Sequence, residues 1–329
     1  MALADELQAS WYGGRRAPLW AHPLAWLYGG LSALRRGLYR LGLLRSVRLP
    51  VPVVVVGNLT AGGTGKTPLT LALVQALRER GWRPGVVSRG YGGSQRQPAL
   101  LGERPEPAVF GDEPCLIRAS GAPVAVGRDR PAAAALLVEA GCDVVIADDG
   151  LQHYRLARDV EICVIDGARR FGNGRLLPLG PLREPLSRLR RVDFRVANGE
   201  AQSGEFAMRL AGGTAVPLDG GGEQELSAFA GAPVAAVAAI GHPERFFDSL
   251  RAQGLDVEGR AFPDHHAFVA ADLDFAGTRP LLMTDKDAIK CMRFARSGWW
   301  RVPVRAELPG AFLDALDQRL RDRRASPGR

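Results

Sequence analysis

Four consecutive valines at 53–56 run into a glycine-rich loop that ends in Gly65-Lys66-Thr67. A β-branched run without polar alternation suits a strand buried on both faces, as in a parallel sheet. The apolar period then changes, and residues 67–80 are a predicted helix stopped by Gly81. Strand, glycine loop and helix, in that order, let backbone N–H groups wrap a polyphosphate at a helix N-terminus. Gly62, Gly63 and Gly65 let the main chain approach phosphate oxygens, with Thr60 and Thr64 completing the loop. Lys66 would reach the β- and γ-phosphates of ATP, and the Thr67 hydroxyl would ligate Mg²⁺. Thr60 stands where the general G-x-x-x-x-G-K-[ST] pattern has glycine.

Of the 43 lysines and arginines only three are lysine, at 66, 286 and 290. Arginine carries the general surface charge here, so a retained lysine is expected where a compact point charge is needed. Strand signals recur at 84–88, 123–126, 143–147 and 160–165, with a helical pattern at 131–140. Alternating strands and helices predict a doubly wound parallel sheet with ligands at the carboxyl ends of its strands. A glycine-rich, charge-poor stretch at 211–222 reads as a connection, and beyond it strands and helices alternate again. The expected organisation is therefore an N-terminal segment over 1–50, a P-loop α/β domain over 51–210 and a second, smaller α/β lobe over 211–329. The last residues, 322–329, are polar and expected to fray.

A net charge of +8 calls for an anionic partner, and no nucleic-acid-binding signature accompanies it, so nucleic acid is not expected. The N-terminal segment supplies the alternative. Tryptophans, tyrosines and leucines between residues 11 and 49 are interleaved with seven arginines, Arg15 to Arg48. The uncharged stretch at 17–34 is interrupted by Pro18, Pro23, Gly29 and Gly30, which argues against a membrane crossing. Rings, leucines and arginines together describe a segment lying in the interface of an anionic membrane, against the alternative of a helix packed on the protein's own core. The four cysteines show no paired spacing and are expected to be free thiols.

Three further clusters carry chemistry. The strand at 144–147 ends in Asp148-Asp149-Gly150, and an acid at the tip of a strand neighbouring a P-loop holds the Mg²⁺ shell. Adjacent residues of a strand face opposite ways, so Asp148 and Asp149 cannot share that role. Gly111-Asp112-Glu113-Pro114 offers a base for a hydroxyl nucleophile in either acid, or a helix N-cap in Asp112. Asp264-His265-His266 reads as an Asp–His relay or as a plain surface loop, since the further ligands of a zinc site are missing. Arg89, Arg130, Gln152, His153 and Arg183 lie in loops after predicted strands and are candidate phosphate or substrate contacts. Lys286 and Lys290, one helical turn apart, suit a charge network or a solvated helix face.

Taken together, the chain resembles the tetraacyldisaccharide 4′-kinases of lipid A biosynthesis. The resemblance runs through Gly57-Asn58, Gly62-Gly63 and Gly65-Lys66-Thr67-Pro68, then Ser88-Arg89-Gly90-Tyr91-Gly92 and Gly111-Asp112-Glu113-Pro114. It continues through Asp148-Asp149-Gly150-Leu151-Gln152-His153, Gly180-Pro181-Leu182-Arg183-Glu184-Pro185, Phe262-Pro263-Asp264-His265 and Thr284-Asp285-Lys286-Asp287. Thr60 belongs to that family's own loop. The resemblance implies transfer of the ATP γ-phosphate, with Mg²⁺, to the 4′-hydroxyl of a tetraacylated glucosamine disaccharide 1-phosphate. It also implies a peripheral location on the cytoplasmic face of the inner membrane. It pairs Asp112 with His265 as the catalytic groups, one from each lobe, so that lobe closure completes the site. His242 stands where the family usually has Asn, and Asp285 where it has Glu. A membrane-associated P-loop switch ATPase, with no lipid acceptor, is the rival reading from another class.

Overall fold

The computed structural model describes residues 3–325. Among these the strands form two sheets, one nine-stranded and one six-stranded. In the larger, Val53–Gly57 lies between Val144–Ala147 and Val160–Asp166, all parallel. Pro84–Ser88 and Val124–Val126 extend one side, and Phe194–Asn198 and Phe206–Ala211 the other. The chain reverses its order beside Val53–Gly57, the switch point at which such sheets bind ligands. Val54 and Val56 point into one core layer with Leu69 and Leu73 of the P-loop helix Lys66–Glu79. Val53 and Val55 point into the other, with Leu137 of the helix Arg130–Glu139. A strand buried on both faces has no place for alternating polar residues, and this explains the valine run.

The smaller sheet is built on Val234–Ala238, parallel to Val257–Ala261 and Leu281–Thr284. The 211–222 stretch connects the two sheets through regular structure: residues 214–217 form a strand, Thr214–Pro217, antiparallel to Trp299–Val302. On the far side of Gly212-Gly213 and Pro303-Val304, Phe206–Ala211 pairs antiparallel with Arg305–Glu307. A two-stranded ribbon thus passes from one sheet into the other, and the smaller lobe is an insertion between its arms.

The expected lobe boundary needs the matching correction. Residues 305–325 do not belong to the smaller lobe. The helix Gly310–Ala325 lays Phe312, Leu316 and Leu320 into the core of the larger lobe. The Phe312 ring meets Phe194 at 5.3 Å and Phe206 at 5.2 Å between centroids, and Trp82 Nε1 donates to Asp317 at 2.7 Å. The apolar spacing of four residues is what buries one stripe of this helix. Residues 322–325, expected to fray, are its last turn, and 326–329 lie outside the described residues.

Residues of the N-terminal segment form two helices, Leu3–Tyr12 and Ala21–Arg40. The second runs unbroken through Pro23 and Gly29-Gly30; Pro23 falls in the first turn, where no N–H partner is lost. Ala21 and Ala25 are buried against Leu179, and Tyr28 Oη donates to the Arg183 carbonyl at 2.9 Å. The opposite face is bare: Trp26 is 79% exposed, and Leu31 and Leu34 are each 60% exposed. Among the described residues no helix is long and apolar enough to cross a membrane. All four cysteines are free and buried.

Candidate active site

The P-loop is stapled from both sides. Gly65 caps the helix Lys66–Glu79 with φ 93°, a backbone closed to most side chains, and a Cβ there would lie 2.7 Å from Asn198 Nδ2. Asn198 donates to the Thr64 carbonyl at 3.3 Å. The buried Asn58 donates to the Thr60 carbonyl at 2.9 Å and turns its Oδ1 toward Lys66 Nζ, 3.4 Å away. Thr60 is bridged to Leu182, so the loop at 180–185 lies along the P-loop. Gly62 and Gly63 face open space, which leaves a cradle of backbone at the helix N-terminus.

At the tip of the neighbouring strand the two acids part company. Asp148 is 1% exposed; its Oδ1 accepts from Thr70 at 3.2 Å, while its Oδ2 is buried without a partner. Burial, then the nearby Glu113 carboxylate, push its pKa up to about 7 despite Lys66 and Arg130. Asp149 takes up φ 47° and turns the other way, with Arg183 Nη1 at 3.0 and 3.2 Å and Lys66 Nζ at 3.6 Å. Burial opposes its ionisation, but Lys66, Arg183 and Arg130 outweigh it and hold Asp149 below the ordinary carboxylate value. A second orphaned oxygen, Thr64 Oγ1, is buried in the P-loop itself. Unpaired buried oxygens beside a phosphate cradle suit a hard cation held by few protein ligands. Thr67 makes no side-chain hydrogen bond among the described residues; the contact to Asp148 comes from Thr70, one turn further along the helix.

Across the cleft, Asp112 and His265 meet. They are 153 positions apart in sequence, yet His265 Nδ1 lies 3.0 Å from Asp112 Oδ2. Gly111, with φ 91°, has no room for a Cβ because the Tyr91 carbonyl stands against it. That close packing sets Asp112 at the start of the helix Asp112–Ala119, and the Tyr91 ring covers His265 at 5.4 Å. His265 sits at φ 63° and faces Lys286 on its other edge, Nζ to Nε2 3.4 Å. An ammonium only donates, so Nε2 accepts and the proton of a neutral ring lies on Nδ1, facing the Asp112 carboxylate. Lys286 also pairs with Asp264 at 2.9 Å. Lys290 joins Asp287 at 2.9 Å and approaches Asp112 at 3.9 Å. The lysine pair is thus a charge network around the Asp–His contact. His266 stands apart, bound to Asp272.

The remaining candidates divide. Arg130 is 3% exposed and donates to the Asp148 carbonyl at 2.8 Å, fixing the acid's backbone. Gln152 donates to the Asn58 carbonyl at 3.1 Å and braces the P-loop from behind. Burial, followed by Arg130, Arg158, Arg35 and Arg155, pushes His153 down to about 4, so it is neutral near pH 7. Arg89 is exposed and has no hydrogen-bond or ion-pair partner among the described residues. Arg169 escaped the sequence reading. Its Nη2 donates to the Gly63 carbonyl at 2.7 Å, its Nε pairs with Asp166 at 2.8 Å, and its Nη1 meets His242 of the smaller lobe at 2.5 Å. An acid closing a long strand, followed three residues on by arginine, was the available signal.

The same arrangement of domains recurs in known proteins. The crystal structure of an "apo" form of LpxK from Aquifex aeolicus in complex with ATP superposes with a TM-score of 0.77 at 29% identity, covering 91% of this chain and 97% of that one. A tetraacyldisaccharide 4′-kinase of Xanthomonas euvesicatoria pv. vesicatoria is 57% identical, covering 94% of each chain. One from Stenotrophomonas maltophilia is 53% identical over 94% of this chain and 95% of its own. The family model for tetraacyldisaccharide-1-P 4′-kinase matches residues 17–321, from the bare N-terminal helix to the C-terminal helix. By this match over nearly its whole length, the chain belongs to the tetraacyldisaccharide-1-P 4′-kinase family.

Proposed function

We propose that this protein transfers the γ-phosphoryl group of ATP to the 4′-hydroxyl of a tetraacyldisaccharide 1-phosphate, working from the cytoplasmic surface of the inner membrane. The observation that carries the reading is the Asp112–His265 contact, formed between lobes and beside a phosphate cradle. Glu113, next to Asp112, is near enough to Asp148 to raise its pKa, which supports base and cradle serving one reaction.

The polyphosphate lies on the backbone of residues 62–65 at the N-terminus of the P-loop helix. Lys66, held by Asn58 and Asp149, supplies positive charge to the β- and γ-phosphates. Asp112 takes the proton of the 4′-hydroxyl as its oxygen bonds to the γ-phosphorus, and the bond to the β-phosphate oxygen breaks to release ADP. The Nδ1–H of His265 donates a hydrogen bond to the Asp112 carboxylate and orients it while the proton stays on the ring; Lys286 fixes the tautomer. Asp148, with its orphaned oxygen, and Thr67 would hold Mg²⁺, which supplies charge neutralisation at the phosphates when bound. Arg89, without a hydrogen-bond or ion-pair partner among the described residues, and Arg183, beside Asp149, are phosphate contacts on this reading, as is His153, while Arg130 and Gln152 brace the cradle from behind.

The bare leucine and tryptophan face of Ala21–Arg40 rests in the bilayer interface, where a four-chain lipid resides. Family membership disfavours a switch ATPase without a lipid acceptor. The test is transfer of labelled γ-phosphate from ATP to tetraacyldisaccharide 1-phosphate in detergent micelles. Labelled lipid made by the wild type and lost in Lys66→Ala and Asp112→Ala is the expected result. ATP hydrolysis without labelled lipid would overturn the proposal.

A further inference from the structure

A cavity of about 270 Å³ opens where the end of the helix Ala21–Arg40 meets the short 3-10 helix Leu186–Arg191. Its walls carry five arginines, Arg36, Arg40, Arg188, Arg190 and Arg191, together with Ser187. Two of these are already neutralised. Arg188 pairs with Glu161 at 2.5 Å and with Glu184 at 3.7 Å, and Arg36 reaches Glu184 at 3.6 Å. The other three, Arg40, Arg190 and Arg191, are exposed and have no carboxylate or hydrogen-bond partner among the described residues. Two carboxylates therefore face five guanidiniums, and the surplus charge is concentrated in a concave site. A spread of solvated surface arginines would have neither the concavity nor the buried ion pairs that brace its floor.

The surroundings say where an anion would come from. Leu34, Leu41 and Leu43, on the same helix and the turn after it, are 60%, 76% and 68% exposed, and Leu186 at the other rim is 40% exposed. A basic hollow carried on the same segments as bare leucines matches the boundary between acyl chains and headgroups, where guanidiniums reach anionic phosphate.

We propose that this hollow binds the phosphate headgroup of an anionic bilayer lipid, separately from the phosphates of the reaction. Guanidinium pairs with phosphate oxygens in two parallel hydrogen bonds, and Ser187 adds a hydroxyl donor. The occupant is a phosphodiester headgroup, with its acyl chains lying outward among the leucines. The site rests on the membrane-surface reading above and adds headgroup selectivity to it: leucines give affinity for any bilayer, and the hollow selects anionic ones.

The test compares full-length wild type with the triple variant Arg40→Ala, Arg190→Ala, Arg191→Ala by flotation on neutral phosphatidylcholine vesicles and on vesicles containing phosphatidylglycerol. A second triple variant, Arg96→Ala, Arg104→Ala, Arg209→Ala, removes the same charge from exposed positions elsewhere. Thermal unfolding establishes that each variant is folded. The hollow variant should lose about a hundredfold in binding to anionic vesicles and keep its binding to neutral ones, at roughly one decade for each one to two arginines. The distant variant should lose less than about threefold. Equal losses in the two variants would overturn the site in favour of diffuse charge attraction. A rise in KM for lipid substrate in neutral micelles, with anionic preference intact, would overturn it in favour of the substrate's own phosphate. Failure of wild type to bind either vesicle would instead sink the membrane-surface reading itself.

Discussion

The cradle at 58–70 and the Asp112–His265 contact are built in opposite ways. The cradle belongs to one sheet: Asn58, Asn198, Thr70 and Asp148 brace it, and nearly all are buried. The Asp–His contact is drawn from two lobes that are joined by a ribbon, and His265 keeps about a third of its side chain exposed. The first is set within one lobe; the second depends on how two lobes are packed against each other. Nucleotide binding and hydroxyl activation should therefore fail independently.

The largest break should come from Lys66→Ala, which removes the cradle's point charge and leaves Asp149 facing Arg183 alone. The expected loss in kcat/KM for ATP is about 10³-fold, checked by steady-state kinetics. Asp112→Ala should lower kcat by roughly 10²–10⁴-fold while the Kd for ATP, measured by calorimetry, stays unchanged. A parallel loss of ATP affinity would show that the two regions are not separable. Lys286→Gln should lower kcat by about tenfold, because the His265 tautomer is no longer held, with the KM for ATP unaltered.

The smallest effect is on stability and carries a sign. Asp148 has a folded pKa of about 7, above its ordinary carboxylate value, so the folded state binds the extra proton. Its burial costs nothing when the group is protonated in both states. The cost grows as pH rises through the window between the ordinary value and about 7, and is complete above it. Asp148→Asn should thus raise the Tm of nucleotide-free protein by a few degrees near pH 8 and by less near pH 5, while impairing turnover. An equal Tm shift at both pH values would mean that Asp148 is not held neutral by burial.

The larger sheet was legible because a strand buried on both faces writes itself as an unbroken valine run, and the glycines mark the turn at its end. The return of 305–325 to that sheet was not. Three residues pairing with Phe206–Ala211 leave no period to read, and the stripe of Phe312, Leu316 and Leu320 is the same whichever core receives it. At the site, Asp148 and Asp149 were expected to diverge, but only the left-handed backbone of Asp149 tells which one turns to Lys66. The proximity of Asp112 and His265 came from family resemblance; no local pattern spans 153 positions. Arg169 was hidden because its partners, Gly63 and His242, come from distant segments.

The ribbon has a consequence for synthesis. The smaller lobe, residues 214–302, is one continuous stretch and can close its sheet as soon as it leaves the ribosome. The larger lobe cannot, since its edge strand at 305–307 and its Phe312 plug come after the whole of the smaller lobe in the chain. Domains ordinarily complete in the order in which they are translated. Here the order is inverted: the lobe that begins first finishes last, and until then the apolar surface around Phe194 and Phe206 must wait uncovered.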